Sequence, residues 1–182
     1  MSQVQDVFER ERDDLASTEL CKNATNFVDF RGSEDPVVLF VGEAPGREED
    51  LQGKPFVGRS GDLLDDWVDE LGLDEDDYAI TNVVKCRPPE NRTPTDEEAE
   101  RFGKWLDEEI DAMQPDLIVP LGKTGATFLI DGIEEKSFVK DVCEHVFETE
   151  HGQVYPLPHP AYALRSGFEP DFDGLRKVIH DD

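Results

Sequence analysis

The sequence predicts an α/β protein with a mostly parallel sheet covered on both faces. Three observations carry the prediction. Short apolar runs alternate along the chain with longer segments of helical spacing. The run at residues 37–41 is continuously apolar, as a strand buried on both faces requires. The runs also empty into loops punctuated by glycine and proline, the pattern of strand-to-helix turns.

The elements follow in order. Residues 3–20 read as a charged N-terminal helix, and residues 22–36, with Asn, Asp, Gly, Ser and Pro, as a connector. Residues 37–41 form the first strand. Residues 60–71 form a helix, because Leu63, Leu64, Trp67, Val68 and Leu71 keep helical spacing and Gly72 stops it. Residues 78–84 are a second strand. Thr95 opens a helix with Glu98 three residues on, a capping box. Trp105, Leu106, Ile110 and Met113 mark its buried face, and Pro115 follows its end. Residues 117–121 are a third strand, and Gly122 turns the chain into a helix over 123–129. Short strands are expected at 142–146 and 153–157, and a terminal helix at 171–180.

At 182 residues, with 37% apolar residues, the chain suits one domain, residues 1–182, with a sizeable core. Its 44 acids against 18 bases leave a net charge of -26. Acidity spread over helices and loops, but sparing the punctuated segments, points to a protein built for concentrated salt, where self-repulsion is screened. The blander reading is an acidic cytosolic protein that avoids nucleic acid. The first 20 residues are charged throughout, without an apolar signal segment, and no run approaches the ~20 apolar residues of a membrane span. Cys21, Cys86 and Cys143 are widely separated and odd in number, which argues against a disulfide framework and for a reducing cytoplasm. A monomer is expected.

Four segments carry the candidate chemistry: VVLFVGEAPG, GKPFVGRSG, ITNVVKCRPPENRTP and PHPAY. Glu43 stands at the mouth of the first strand, where ligands of open α/β sheets bind, among small residues that admit a substrate close to the backbone. No Lys-Ser or Lys-Thr follows, so the loop is not a P-loop. Phe56 is an aromatic on a loop, either a core anchor or a platform for a flat heterocycle. Asn82 ends an apolar strand, where its amide either ties down a loop or reads a base edge. His159 lies between two prolines that fix its backbone and aim its ring, as a charge-stabilising donor needs. Together they offer stacking, edge recognition, a carboxylate and an imidazole, a set suited to breaking the sugar bond of a flipped nucleobase. A zinc-deaminase signature is lacking. Arg47, Lys54, Arg59, Lys85, Arg87, Arg92 and Arg165 lie in or beside these segments, as a DNA-binding cleft would have it rather than scattered surface charge.

From residue 37 to 165, VGEAPGREED, GKPFVGRSG, ITNVVKCRPPENRTP, VPLG and HPAYALR resemble in order and spacing the family 4 uracil-DNA glycosylases of thermophilic bacteria and archaea. The resemblance implies a three-layer α/β/α sandwich with a central, mainly parallel four-stranded sheet, and removal of uracil from DNA. It assigns Glu43 to positioning water or stabilising the sugar cation, and His159 to stabilising the departing uracil anion. Phe56 would stack on the base, Asn82 read its polar edge, Glu49 exclude thymine's methyl, and Asn91 make a secondary contact. The loop bearing Tyr162, Ala163, Leu164 and Arg165 would wedge into the duplex. The family's four-cysteine iron–sulfur site is matched only by Cys21 and Cys86. Ala24 stands at the second position, and the fourth falls near Arg101 or Phe102. No cofactor is therefore expected, since a cubane cluster wants four thiolates, and the connector is expected to fold on Phe27, Val28 and Phe30. Two alternatives stay open: a glycosylase for another deaminated base, and a silent DNA- or nucleotide-binding protein on this fold. The trio Glu43, Asn82 and His159 favours an enzyme.

Overall fold

The computed structural model describes residues 1–180. Two N-terminal helices, α1 (Gln3–Leu15) and α2 (Glu19–Asn23), precede a short strand β1 (Arg31–Gly32). Then come β2 (Val38–Gly42), α3 (Arg47–Gln52), α4 (Arg59–Leu71), β3 (Tyr78–Asn82), α5 (Asp96–Met113), β4 (Leu117–Pro120) and α6 (Lys123–Leu129). The chain closes with β5 (Phe147–Thr149), β6 (Gly152–Val154), α7 (Pro160–Ser166) and α8 (Phe172–His180). Among these helices none is long and apolar enough to cross a membrane.

The sheet has six strands in the order β1-β3-β2-β4-β6-β5. Its four inner strands run parallel, and β1 and β5 add antiparallel edges, so the expected four-stranded sheet becomes a mixed one of six. Residues of β2 alternate between two cores. Leu39 and Val41 pack with Val4, Phe8, Phe102, Leu106 and Ile110 from α1 and α5. Val38 and Phe40 pack with Leu64, Trp67, Val68 and Leu175 from α4 and α8. Helices therefore cover both faces, because side chains alternate across a strand and each apolar face needs a cover.

Thr95 and Glu98 form the predicted capping box at the start of α5. The single N-terminal helix is instead two, the second capped by Thr18. The strand expected at 142–146 is absent. There Phe138–Val142 makes a wide helical turn closed by the Cys143 N–H donating to the Phe138 carbonyl at 2.9 Å, and β5 begins only at Phe147. Val142 and Cys143 are buried while Val146 is exposed, so the apolar letters of that stretch serve a turn rather than a strand. The stretch after His159 is also not a loop: it is α7, with Pro160 at its first position.

The expectation of unpaired thiols is corrected too. Helix α2 brings Cys21 to the loop beyond β3, where it is disulfide-bonded to Cys86 across 65 positions of sequence with the Cα atoms 5.2 Å apart. Only Cys143 is free, and it is buried, with its thiol pushed up to about 12 by burial and by Glu144. The connector folds with Val28 fully buried and with Phe27 and Phe30 packed against the core that holds Phe8 and Phe102.

Candidate active site

The carboxyl ends of β2 and β3 open into a cavity of about 590 Å³. Glu43, Phe56, Asn82 and His159 all line it, drawn from four segments between residues 43 and 159. Glu49, Asn91, Arg47, Arg59, Arg92 and Arg165 line it as well.

Asn82 is the last residue of β3 and is only 1% exposed, yet among the described residues neither its amide oxygen nor its amide nitrogen has a hydrogen-bond partner. A buried amide left unpaired costs about 1–3 kcal/mol, so beside an open cavity this one is available to a water or a ligand. Gly42 makes room for it: a side chain there would come within 2.3 Å of the Asn82 Oδ1 and 2.5 Å of the Phe56 ring. Phe56 itself is buried and takes a left-handed backbone, φ 52°. That conformation is unfavourable for a residue with a side chain. Arg31 holds it by donating from Nε to the Pro55 carbonyl at 2.9 Å and from Nη2 to the Phe56 carbonyl at 3.1 Å. Gly61 lets α4 lie against the same turn.

His159 caps α7. Its Nδ1 accepts the Ala161 N–H at 3.0 Å, which in a neutral ring puts the proton on Nε2. Burial first, and the Arg165 charge second, push its pKa down from 6.5 to about 4. The ring is thus a neutral donor at ordinary pH. It lies 5.6 Å from the Phe56 ring, centroid to centroid, tilted by 30°. Glu43, at the end of β2, accepts the Thr124 hydroxyl at 2.5 Å on Oε2. The carboxylate of Glu49 packs over Gly46 and Gly58.

Three groups of expected DNA contacts separate in the structure. Arg47, Arg59, Arg92 and Arg165 are exposed at the cavity rim, with Arg92 bidentate to Glu98 at 2.8 Å. Lys54, also exposed, and Arg87, which donates to Asn91 at 2.6 Å, stand outside the lining. Tyr162 and Leu164 project from α7, 39% and 44% exposed, beside the rim residue Arg165. Lys85 does not belong with them. It is 0% exposed, paired with Glu109 at 2.7 Å and Glu11 at 3.8 Å, and donates to the Asn82 carbonyl. A cation sealed between two carboxylates cannot reach a phosphate, so its assignment to DNA binding is corrected to support of the β3 end. Sequence reasoning missed Arg31 and Thr124, which lie outside the punctuated segments.

The four-thiolate cluster does not fit this chain. Cys21 and Cys86 are bonded to each other, and the remaining positions offer carbon: Ala24 and Phe102 pack into the core around them. Arg101 turns away to Asp14 at 2.9 Å.

Residues 30–181 match the uracil DNA glycosylase superfamily. The chain is similar to the type-4 uracil-DNA glycosylase of Archaeoglobus fulgidus, 41% identical over 170 residues that cover 88% of this chain and 85% of that one. It is likewise similar to the type-4 enzyme of Thermotoga maritima, 43% identical with 88% and 81% covered, and to that of Sulfurisphaera tokodaii, 37% identical with 97% and 82% covered. With the strand-end cavity and its Glu43, Phe56, Asn82 and His159 in place, the chain belongs to the type-4 uracil-DNA glycosylase family.

Proposed function

We propose that this protein is a DNA repair glycosylase that takes uracil out of the duplex and hydrolyses its N-glycosidic bond, leaving an abasic site. The observation that carries the reading is the buried Asn82 amide, unpartnered on both atoms and facing the cavity between Phe56 and the strand ends. Uracil presents a donor and an acceptor side by side on its pairing edge, and a fixed amide answers both. Phe56 stacks on the base. Glu49 crowds C5, where thymine carries a methyl group, and Asn91 adds a secondary contact.

The bond from N1 to the sugar breaks with its electron pair moving to the base. Negative charge gathers on uracil O2 and positive charge on the deoxyribose. His159 meets the first with its Nε2 proton. A neutral donor loses no proton in doing so and strengthens its bond as the oxygen gains charge. Glu43 meets the second and directs a water to the sugar carbon. That water gives a proton to Glu43 as the C–O bond forms, Glu43 returns it to solvent, and the released base is protonated from solvent. The rim arginines take the phosphates, and α7 offers Tyr162 and Leu164 to fill the stack as the base leaves.

Two further parts of the reading concern setting. The net charge of -26 supports work in concentrated salt, and DNA as substrate supports a cytoplasmic setting. Bonded cysteines with carbon at the other ligand positions support a protein without the iron–sulfur cluster. The test is single-turnover cleavage, at molar salt, of oligonucleotides holding one uracil, hypoxanthine or xanthine. Uracil should be cut fastest. Faster cutting of another base would redirect the substrate assignment, and no cutting at all would favour a silent binding protein.

A further inference from the structure

We propose that Thr124 is a positioning residue for the glycosidic cleavage, one that sets the orientation of the Glu43 carboxylate; the inference rests on the role given to Glu43 above. The two residues are 81 positions apart, and the Thr124 hydroxyl donates to Glu43 Oε2 at 2.5 Å. A hydroxyl in the first turn of a helix ordinarily serves its own backbone. Here it leaves the helix and reaches the acid at the cavity mouth. A hydroxyl donating to a carboxylate makes a charge-assisted bond, about twice as strong as a neutral one.

The fold is built to bring the pair together. The Leu121 N–H donates to the Val41 carbonyl at 2.8 Å, tying the turn before α6 to the end of β2. Gly125 lets α6 sit against that same carbonyl, where a side chain would come within 3.2 Å of it. Glu43 is also held from the other side, its carbonyl accepting the Val84 N–H at 3.0 Å. The main chain of Glu43 is thus fixed to the end of β3 and its side chain to α6. Thr124 occupies one carboxylate oxygen, so Oε1 is the one presented to the water and the sugar. A carboxylate on a long side chain has several rotamers of similar energy, and a catalytic group displaced by about 1 Å can lose about 10²-fold in rate.

The test uses the full chain with Thr124→Val, which keeps the shape and removes the hydroxyl, Thr124→Ser, which keeps the hydroxyl, Glu43→Ala, and the double variant Glu43→Ala with Thr124→Val. Thr124→Ala replaces the valine variant if that one does not melt cooperatively. Single-turnover rates are measured on a uracil oligonucleotide, and binding on the same oligonucleotide carrying a cleavage-resistant 2′-fluoro deoxyuridine. Thr124→Val should lower the maximal rate by about 10- to 100-fold without weakening binding. Thr124→Ser should recover most of that loss. In the Glu43→Ala background the valine substitution should change nothing, because the hydroxyl then has no carboxylate to orient. A valine variant that cuts at the parent rate overturns the inference while leaving the uracil reading intact. So does an equal loss with and without Glu43, which would mark a structural role only. A parent protein that never cuts uracil-DNA overturns the reading and this inference together.

Discussion

Lowering the pH should cost this protein stability through His159, and the amount can be worked out. In the unfolded chain the imidazole takes a proton near 6.5, whereas in the fold burial and then Arg165 delay that proton to about 4. Between those values the unfolded state binds the proton and the folded state does not. The contribution is therefore intact above 6.5 and is lost progressively as the pH falls to about 4. At about 1.4 kcal/mol per pH unit the loss approaches 3 kcal/mol, an upper figure because the ring keeps some contact with solvent. The perturbation is His159→Asn, whose side-chain oxygen can still accept the Ala161 N–H and cap α7 but cannot titrate. Urea unfolding of both proteins, at high salt and at several pH values from 7 to 4, gives the difference directly. The parent's advantage over the variant should shrink by up to about 3 kcal/mol across that range. The same neutral ring makes the cleavage rate insensitive to His159 protonation at 6.5, and His159→Ala should lower it by about 10²–10³-fold while uracil-DNA binding survives. Stability curves that run parallel from pH 7 to 4 would refute the buried neutral donor.

Other expectations follow from the same geometry. Asn82→Asp should weaken discrimination between uracil and cytosine substrates by about 1–3 kcal/mol, read as a ratio of single-turnover rates. In the buried cluster, Lys85→Met should cost about 3–5 kcal/mol of unfolding free energy by stranding Glu109. Burial, partly opposed by Lys85, holds the Glu11 carboxyl well above its ordinary range, so the parent loses stability as the pH rises past that range. Glu11→Gln should make that decline shallower in urea titrations at rising pH, leaving the part that Glu109 and Asp29, whose carboxyls burial also raises, contribute. Purified protein should be colourless and free of iron by metal analysis. Alkylation of the unfolded chain should find one thiol before reduction and three after. Finally, with a net charge of -26, the melting temperature should climb as potassium chloride is raised toward molar concentration.

The parts of the site that could be read from the sequence are those whose chemistry is local. Glu43, Phe56 and His159 each stand beside the glycine or proline that shapes their turn, and Asn82 ends an apolar strand, so residue type and setting appear together. Thr124 stands beside Gly125 but reads as an ordinary helix residue, because its partner is 81 positions away and the approach depends on how α6 lies on the sheet. Lys85 was misread for the opposite reason. A lysine inside a motif looks the same whether it faces DNA or sits between Glu11 and Glu109, and both acids arrive from helices remote in sequence. β2, β3, β4 and the longer helices were legible because burial on one stripe or both faces leaves a period. β1, with two residues, and β5, with three, are too short to leave one. Residues 142–146 show the limit of composition: the apolar letters were real, but burial of Val142 and Cys143 serves a wide turn. The Cys21–Cys86 bond was hidden by its 65-residue span.

The buried lysine also redraws the boundary of the catalytic unit. The superfamily match starts at residue 30, and every motif lies between 37 and 165. A gene trimmed to that interval would omit Glu11, Val4, Val7, Phe8 and Leu15, all buried. It would leave Lys85 and Glu109 facing water through the gap left by α1, while Lys85 still holds the carbonyl of Asn82. The opening helix thus supports the end of β3 from behind, through Glu11 and Lys85, without itself lining the cavity. Shortened versions of this protein made for crystallisation or fusion should therefore begin upstream of residue 3, where Ser2 caps α1, rather than where family likeness begins.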